Sequence, residues 1–211
     1  GLTVGQHDAP ERFRIPSRVY GRDEEIRTLL SAFERIVQPN GGSSVILVAG
    51  YSGIGKSSLI HELRRPIAKA RGRFVAGKFD QVRRDNPYAT LTQALDDLRL
   101  QLLGDSDANF EKLRKDLRVT LGPSARVIVD FSPRFATLLG NPVPIAELPP
   151  VEARARLHAA LGRFFATIAT ANHPLVLFFD DLQWADPASL RVLRSVLAQP
   201  DVRHLLVVGA Y

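Results

Sequence analysis

Apolar residues recur at helical spacing from Ile26 through Leu29, Leu30 and Phe33 to Val37, behind a first turn crowded with Asp23, Glu24 and Glu25. That period predicts an amphipathic helix, and acids at its start suit the positive end of the helix dipole. "QPNGG" ends it. The pattern then changes. "SSVILVA" is a continuous β-branched run, read as a buried strand, and it leaves through the glycine-rich turn "GYSGIGKS". A helix is predicted through "SSLIHELRRPIAKA", a second short strand in "RFVAGKFD", and further helices across "YATLTQALDDLRLQLL" and "NFEKLRKDLRVTL".

"GPSARVIVDFSPRFATLLG" has two readings. Its "RVIVDF" has strand character, while Pro123 and Pro133 suit two short helices, the preferred assignment. "NPVPIAELPP" carries too many prolines for a ladder and is a loop. A long helix follows in "VEARARLHAALGRFFATIAT". "LVLFFDD" lacks alternation, the mark of a parallel strand covered on both faces. Asp186 is expected as N-cap and Pro187 as first residue of the helix in "DPASLRVLRSVLA", and "HLLVVGAY" is the last strand. Strands alternating with helices predict an α/β fold, a parallel sheet flanked by helices.

The 211 residues suffice for one such domain with a sizeable core, or one domain plus a tail. Hydrophobic residues at 45% and charged residues at 24% exclude a disordered chain, and no apolar run approaches the roughly 18 residues that span a bilayer. The opening "GLTVGQHDAPERFRIP" has no apolar signal-peptide core and reads as a linker from a preceding domain over residues 1–17, with a cytoplasmic location expected. The absence of cysteine excludes disulfides, thiolate zinc sites and cysteine nucleophiles. His7, His61, His158, His173 and His204 have no metal-ligand spacing. A net charge of +6 invites a nucleic-acid reading, but the arginines are dispersed and no aromatic platform interleaves them. Nucleic acid is therefore a disfavoured partner.

Chemistry concentrates in the glycine-rich turn. A phosphate chain must be met by many donors at close range, and glycines let backbone N–H groups converge on it while the next helix adds its positive N-terminus. The spacing Gly50, four residues, Gly55, Lys56, Ser57 fits the P-loop (Walker A) pattern. Gly50, Ser52, Gly53, Ile54, Gly55, Lys56, Ser57 and Ser58 are the predicted nucleotide-binding residues, with Lys56 reaching the β- and γ-phosphates in a catalytic role and Ser57 placing its hydroxyl on Mg²⁺. Such a loop needs a carboxylate at the end of a neighbouring buried strand. Asp180 in "LVLFFDDLQWAD" is the expected metal-side group (Walker B), and Asp181 either orients the attacking water or caps a turn. Trp184 is open between packing and lining the site. No "NKxD"-type segment is present, which disfavours a Ras-like GTPase.

The segments "YGRDEEI", "GYSGIGKSSLI", "GKFDQ", "PYATLTQALDDL" and "LFFDDLQWADPASL" together resemble the AAA-type ATPase module of the STAND group, signal-transduction ATPases with numerous domains. The likeness is to large bacterial regulators in which a serine/threonine-kinase-like domain precedes the module and GAF and histidine-kinase domains follow. It implies a P-loop ATPase core over residues 18–211 with a helical insertion at about 88–170, truncated after the strand ending near Tyr211, so that a sensor arginine, a further strand and a lid are missing. It implies that Val19, Tyr20, Gly21 and Arg22 lie near the adenine or ribose, that Asp180 and Asp181 are the acidic pair, and that the "VILVA" strand lies beside "LLVVGA", with "LVLFF" and "RFVAGKF" beyond. In "GKFDQ", Asp80 or Gln81 either approaches the γ-phosphate or caps a loop. The implied cofactors are ATP or ADP with Mg²⁺. The implied partners are adjacent domains of the parent protein and, through nucleotide, further copies of the module, with no membrane involved.

Overall fold

The structure, a computed structural model, describes residues 22–51, 59–60, 62–83 and 85–211. Its strands are β1 (Ser44–Val48), β2 (Arg73–Lys78), β3 (Leu175–Asp180) and β4 (Leu205–Ala210). They form one sheet in the order β1-β4-β3-β2, with every neighbouring pair parallel. The implied order of the sheet is the observed one. Parallel neighbours need crossovers, which helices supply. α1 (Asp23–Val37) precedes β1, and α2 (Arg64–Lys69) leads into β2. Between β2 and β3 come α3 (Ala89–Leu103), α4 (Asp107–Leu121), α5 (Ala125–Phe131), α6 (Ala136–Leu139) and α7 (Pro150–Ile168). α8 (Pro187–Leu197) joins β3 to β4. "RVIVDF" is thus helical: Pro123 and Pro133 stand in the first two positions of short 3₁₀ turns ahead of α5 and α6.

The unalternating run in β3 has a simple cause. Val176 and Phe178 feed one core with Leu206 and Val208 of β4, Leu29 and Phe33 of α1, and Leu63. Leu177 and Phe179 feed the other, larger core with Leu95 and Leu98 of α3, Phe164 and Phe165 of α7, and Val192 of α8. Burying each such side chain stabilises the fold by about 1.5–3 kcal/mol. The larger core continues away from the sheet, where Phe135 meets Phe164 edge-to-face with ring centroids 5.2 Å apart.

Two expectations are corrected. The "VILVA" strand is not buried on both faces: Val45 is 54% and Leu47 58% exposed, because β1 is an edge strand and these two side chains point to its uncovered side. The helix expected through "SSLIHELRRPIAKA" is interrupted, with a turn at Glu62–Leu63 before α2 begins at Arg64. Pro66 explains the break. A proline excludes the carbonyl four residues earlier, here that of Glu62, but is accepted in the first turn of a restarted helix. At the opposite edge, α3 dresses β2: Gln101 Nε2 donates to the Phe74 carbonyl at 2.8 Å.

Candidate functional site

Four strand ends converge on one edge of the sheet. The Tyr211 N–H donates to the Val48 carbonyl and the Gly50 N–H to the Tyr211 carbonyl, both at 3.1 Å, so pairing with the β4 end continues one step past β1. The chain therefore enters "GYSGIGKS" while still fastened to the sheet. Ser52, Gly53, Ile54, Gly55, Lys56, Ser57 and Ser58 lie outside the described residues, as do Val19, Tyr20 and Gly21. Arg22 is the residue before α1, and its carbonyl accepts the Ile26 N–H at 3.0 Å. Beside the end of β1, Glu24, Glu25 and Thr28 of α1 with Val48, Ala49 and Leu59 line a cavity of about 410 Å³.

The acidic pair sits at the end of β3. Parallel strands lie roughly 4.8 Å apart, so Asp180, two strands from β1, is on the order of 10 Å from its end. The half-buried Asp180 accepts the Asp181 N–H on its own Oδ1 at 3.0 Å, which fixes the carboxylate against the backbone. Asp181 takes left-handed dihedrals, φ 55° and ψ 45°, a conformation aspartate tolerates better than most residues. That reversal turns the chain into a 3₁₀ turn over Leu182–Trp184, whose Trp184 N–H bonds the Asp181 carbonyl at 2.9 Å. The Asp181 carboxylate makes no capping bond. Instead its Oδ2 lies 3.3 Å from Lys78 Nζ, and its Oδ1 accepts from Gln183 Nε2 at 3.2 Å. A solvent-facing ion pair with two polar partners is a better description of Asp181 than a turn cap.

Lys78 is the residue that sequence reasoning missed. It is the last residue of β2, in register with Asp180. Its side chain is 71% exposed while that of Asp181 is 31% exposed, so the pair is partly screened. The register of β2 against β3 joins them, whereas "GKFDQ" by itself points to Asp80 and Gln81 instead of the lysine in the same segment. The neighbouring alternatives are narrowed too. Asp80 Oδ1 accepts the Val82 N–H at 3.0 Å, so Asp80 caps its own loop, and Gln81 lies exposed at the start of that 3₁₀ turn. Trp184 packs against the larger core. Asp186 caps α8 with Pro187 at its start: its Oδ1 accepts the Ser189 N–H at 2.8 Å and its Oδ2 the Ser189 hydroxyl at 2.6 Å.

Among the described residues no three His, Asp or Glu side chains gather as a metal-binding group. A Mg²⁺ ion asks for less, since it commonly takes one or two carboxylates and completes its shell with phosphate oxygens and water. No helix among the described residues is long and apolar enough to cross a membrane.

Residues 18–208 match the AAA ATPase domain family. The chain is 33% identical over 194 residues to hybrid signal transduction histidine kinase G of Dictyostelium discoideum, a match covering 92% of this chain and 6% of that protein. It is 25% identical over 207 residues to an uncharacterised protein of Rhizobium meliloti (strain 1021), covering 90% of this chain and 18% of the relative. The chain thus spans a small part of each of these relatives. With a parallel sheet, the glycine-rich sequence "GYSGIGKS" following β1 and an acidic pair at the end of β3, the chain belongs to the AAA ATPase domain family.

Proposed function

We propose that this chain is an Mg-ATP-binding module that hydrolyses ATP slowly and serves as a conformational switch in a larger signalling protein, as a member of the STAND group. The observation that carries the reading is the Asp180–Asp181 pair at the end of an inner strand, on the same sheet edge where β1 delivers the chain into "GYSGIGKS". In this reading backbone amides from Gly53 to Ser57 cradle the phosphates and Lys56 reaches the β- and γ-phosphates. Ser57 and Asp180 would hold Mg²⁺. The half-buried, backbone-fixed Asp180 carboxylate is a hard oxygen donor of the kind that ion takes. When bound, Mg²⁺ would act as a Lewis acid that offsets negative charge developing on the phosphates. Asp181 orients the attacking water, and Val19 to Arg22 flank the base.

Slow turnover is supported by the Lys78–Asp181 contact, which ties the water-orienting carboxylate to a cation. A signalling context is supported by the name of the Dictyostelium relative. The output is conformational, because a γ-phosphate can order contacts that vanish on hydrolysis. Adjacent domains of the parent protein, and further copies of the module, are the proposed readers.

The test is equilibrium binding of ATP and ADP with and without Mg²⁺, with Lys56→Ala as control and phosphate release measured in parallel. Binding abolished by Lys56→Ala supports the nucleotide site, and unchanged binding overturns it. A second reading, a nucleotide-binding scaffold without turnover, is favoured by the same Lys78 contact. Phosphate release that falls in Asp181→Asn excludes it; release absent from both proteins establishes it.

A further inference from the structure

The end of the sheet opposite the acidic pair contains a second cavity, about 670 Å³ in volume, within the usual range for small-ligand sites. It lies where α2 turns into β2, below the α3–α4 turn and the end of α7. Its floor is Arg73, the first residue of β2 and only 9% exposed. Arg73 Nη2 is paired with Asp105 Oδ2 at 2.6 Å, while Nη1 reaches only the Ile168 carbonyl at 3.5 Å. Around it stand Lys69, Arg71 and Lys112, none of which forms an ion pair with a described carboxylate. The one acid left in the lining once Asp105 is matched to Arg73 is Asp116, which leaves three cations facing one anion. Asn109 and Asn172 add amide groups that donate and accept.

The way Arg71 arrives there is unusual. The end of α2 is a Schellman cap: the Gly72 N–H bonds the Ile67 carbonyl at 2.8 Å and the Arg71 N–H the Ala68 carbonyl at 3.0 Å. The left-handed position of this cap, normally glycine, is occupied by Arg71 at φ 54°. Its carbonyl holds His173 Nδ1 at 3.1 Å, which ties the cap to the turn on the far wall. Glycine is the residue that favours such a conformation, and here the position is held by an arginine that lines the cavity.

We propose that this cavity is a binding site for a small phosphate monoester with a hydroxyl-bearing body, separate from the nucleotide edge. The excess of two positive charges matches a phosphate monoester, which carries about −1.5 to −2 near neutral pH. Asp116 and the two asparagines suit the hydroxyls. Arg73 and Lys78 are the two ends of β2, so the site and the acidic pair are about 16 Å apart along one strand.

The test is NMR titration of the chain with glycerol phosphate, with glycerol as the uncharged control, read at the amides of Gly72, Asn109, Thr170 and Asn172. Saturable shifts with glycerol phosphate but not glycerol are expected, and they persist in Lys56→Ala, which separates this site from the nucleotide loop. In Arg71→Gly and in Lys112→Gln, both surface changes, affinity is expected to fall about tenfold, the loss of one charge-assisted contact. No saturable shift at these amides, or equal affinity in the parent and both variants, overturns the proposal.

Discussion

Replacing Asp186 by alanine tests the anchor at the start of α8, just beyond the loop bearing the acidic pair. Asp186 is 5% exposed and Ser189 is fully buried, so water has little access to either. The carboxylate satisfies two donors of one residue, the Ser189 N–H at 2.8 Å and the Ser189 hydroxyl at 2.6 Å. Alanine removes an N-cap, which costs about 1 kcal/mol and up to about 2. It also strands buried polar groups, each at about 1–3 kcal/mol, although the N–H is the same group counted in the cap. Allowing for that overlap, the loss is about 2–3 kcal/mol. For a chain of this length each kcal/mol moves the melting temperature by roughly 2–4 °C, so Asp186→Ala is expected to lower it by roughly 4–12 °C in a thermal scan followed by circular dichroism. Asp186→Asn keeps an acceptor for the N–H and is expected to recover more than half of that drop. A drop below about 1 °C for alanine, or an asparagine variant no better than alanine, would refute the assignment of Asp186 as the anchor of α8.

Other outcomes follow from the same geometry. Lys78→Gln removes an exposed ion pair worth at most about 1 kcal/mol, so the melting temperature stays within about 4 °C, and freeing Asp181 is expected to raise phosphate release by up to about fivefold; a decrease contradicts the restraining role. Arg71→Gly relieves a left-handed arginine in a helix cap and is expected to stabilise the chain by about 1 kcal/mol, read as a higher midpoint in urea. His158 has its pKa lowered below 6.5 by burial, then by the charges of Arg191 and Arg154. The unfolded chain therefore holds the proton more readily, so the contribution of this residue to stability is present above pH 6.5 and is lost as pH falls through the depressed folded value. Denaturant midpoints of His158→Gln are expected to fall less on acidification than those of the parent chain.

The amino-acid sequence by itself determined the order of elements and the place of the acidic pair at the end of a buried strand, because those signals are local. The period of α1, the prolines ahead of α5 and α6, the Asp186–Pro187 start of α8 and the unalternating apolar run of β3 each report on a few consecutive residues, and the structure agrees with them. The acidic pair was legible for the same reason, as the first acids after a buried strand. Other features were decided by which strands lie side by side. β1 has an uncovered face because it is an edge strand, a fact of topology that its composition does not carry. Lys78 meets Asp181 across more than a hundred residues of chain because Lys78 and Asp180 share a register position. Arg73 becomes a buried cation at the floor of a cavity because the α3–α4 turn brings Asp105 to it and α7 ends above it. Local propensity acts over a few residues, whereas burial and charge pairing depend on neighbours that only the packed sheet supplies.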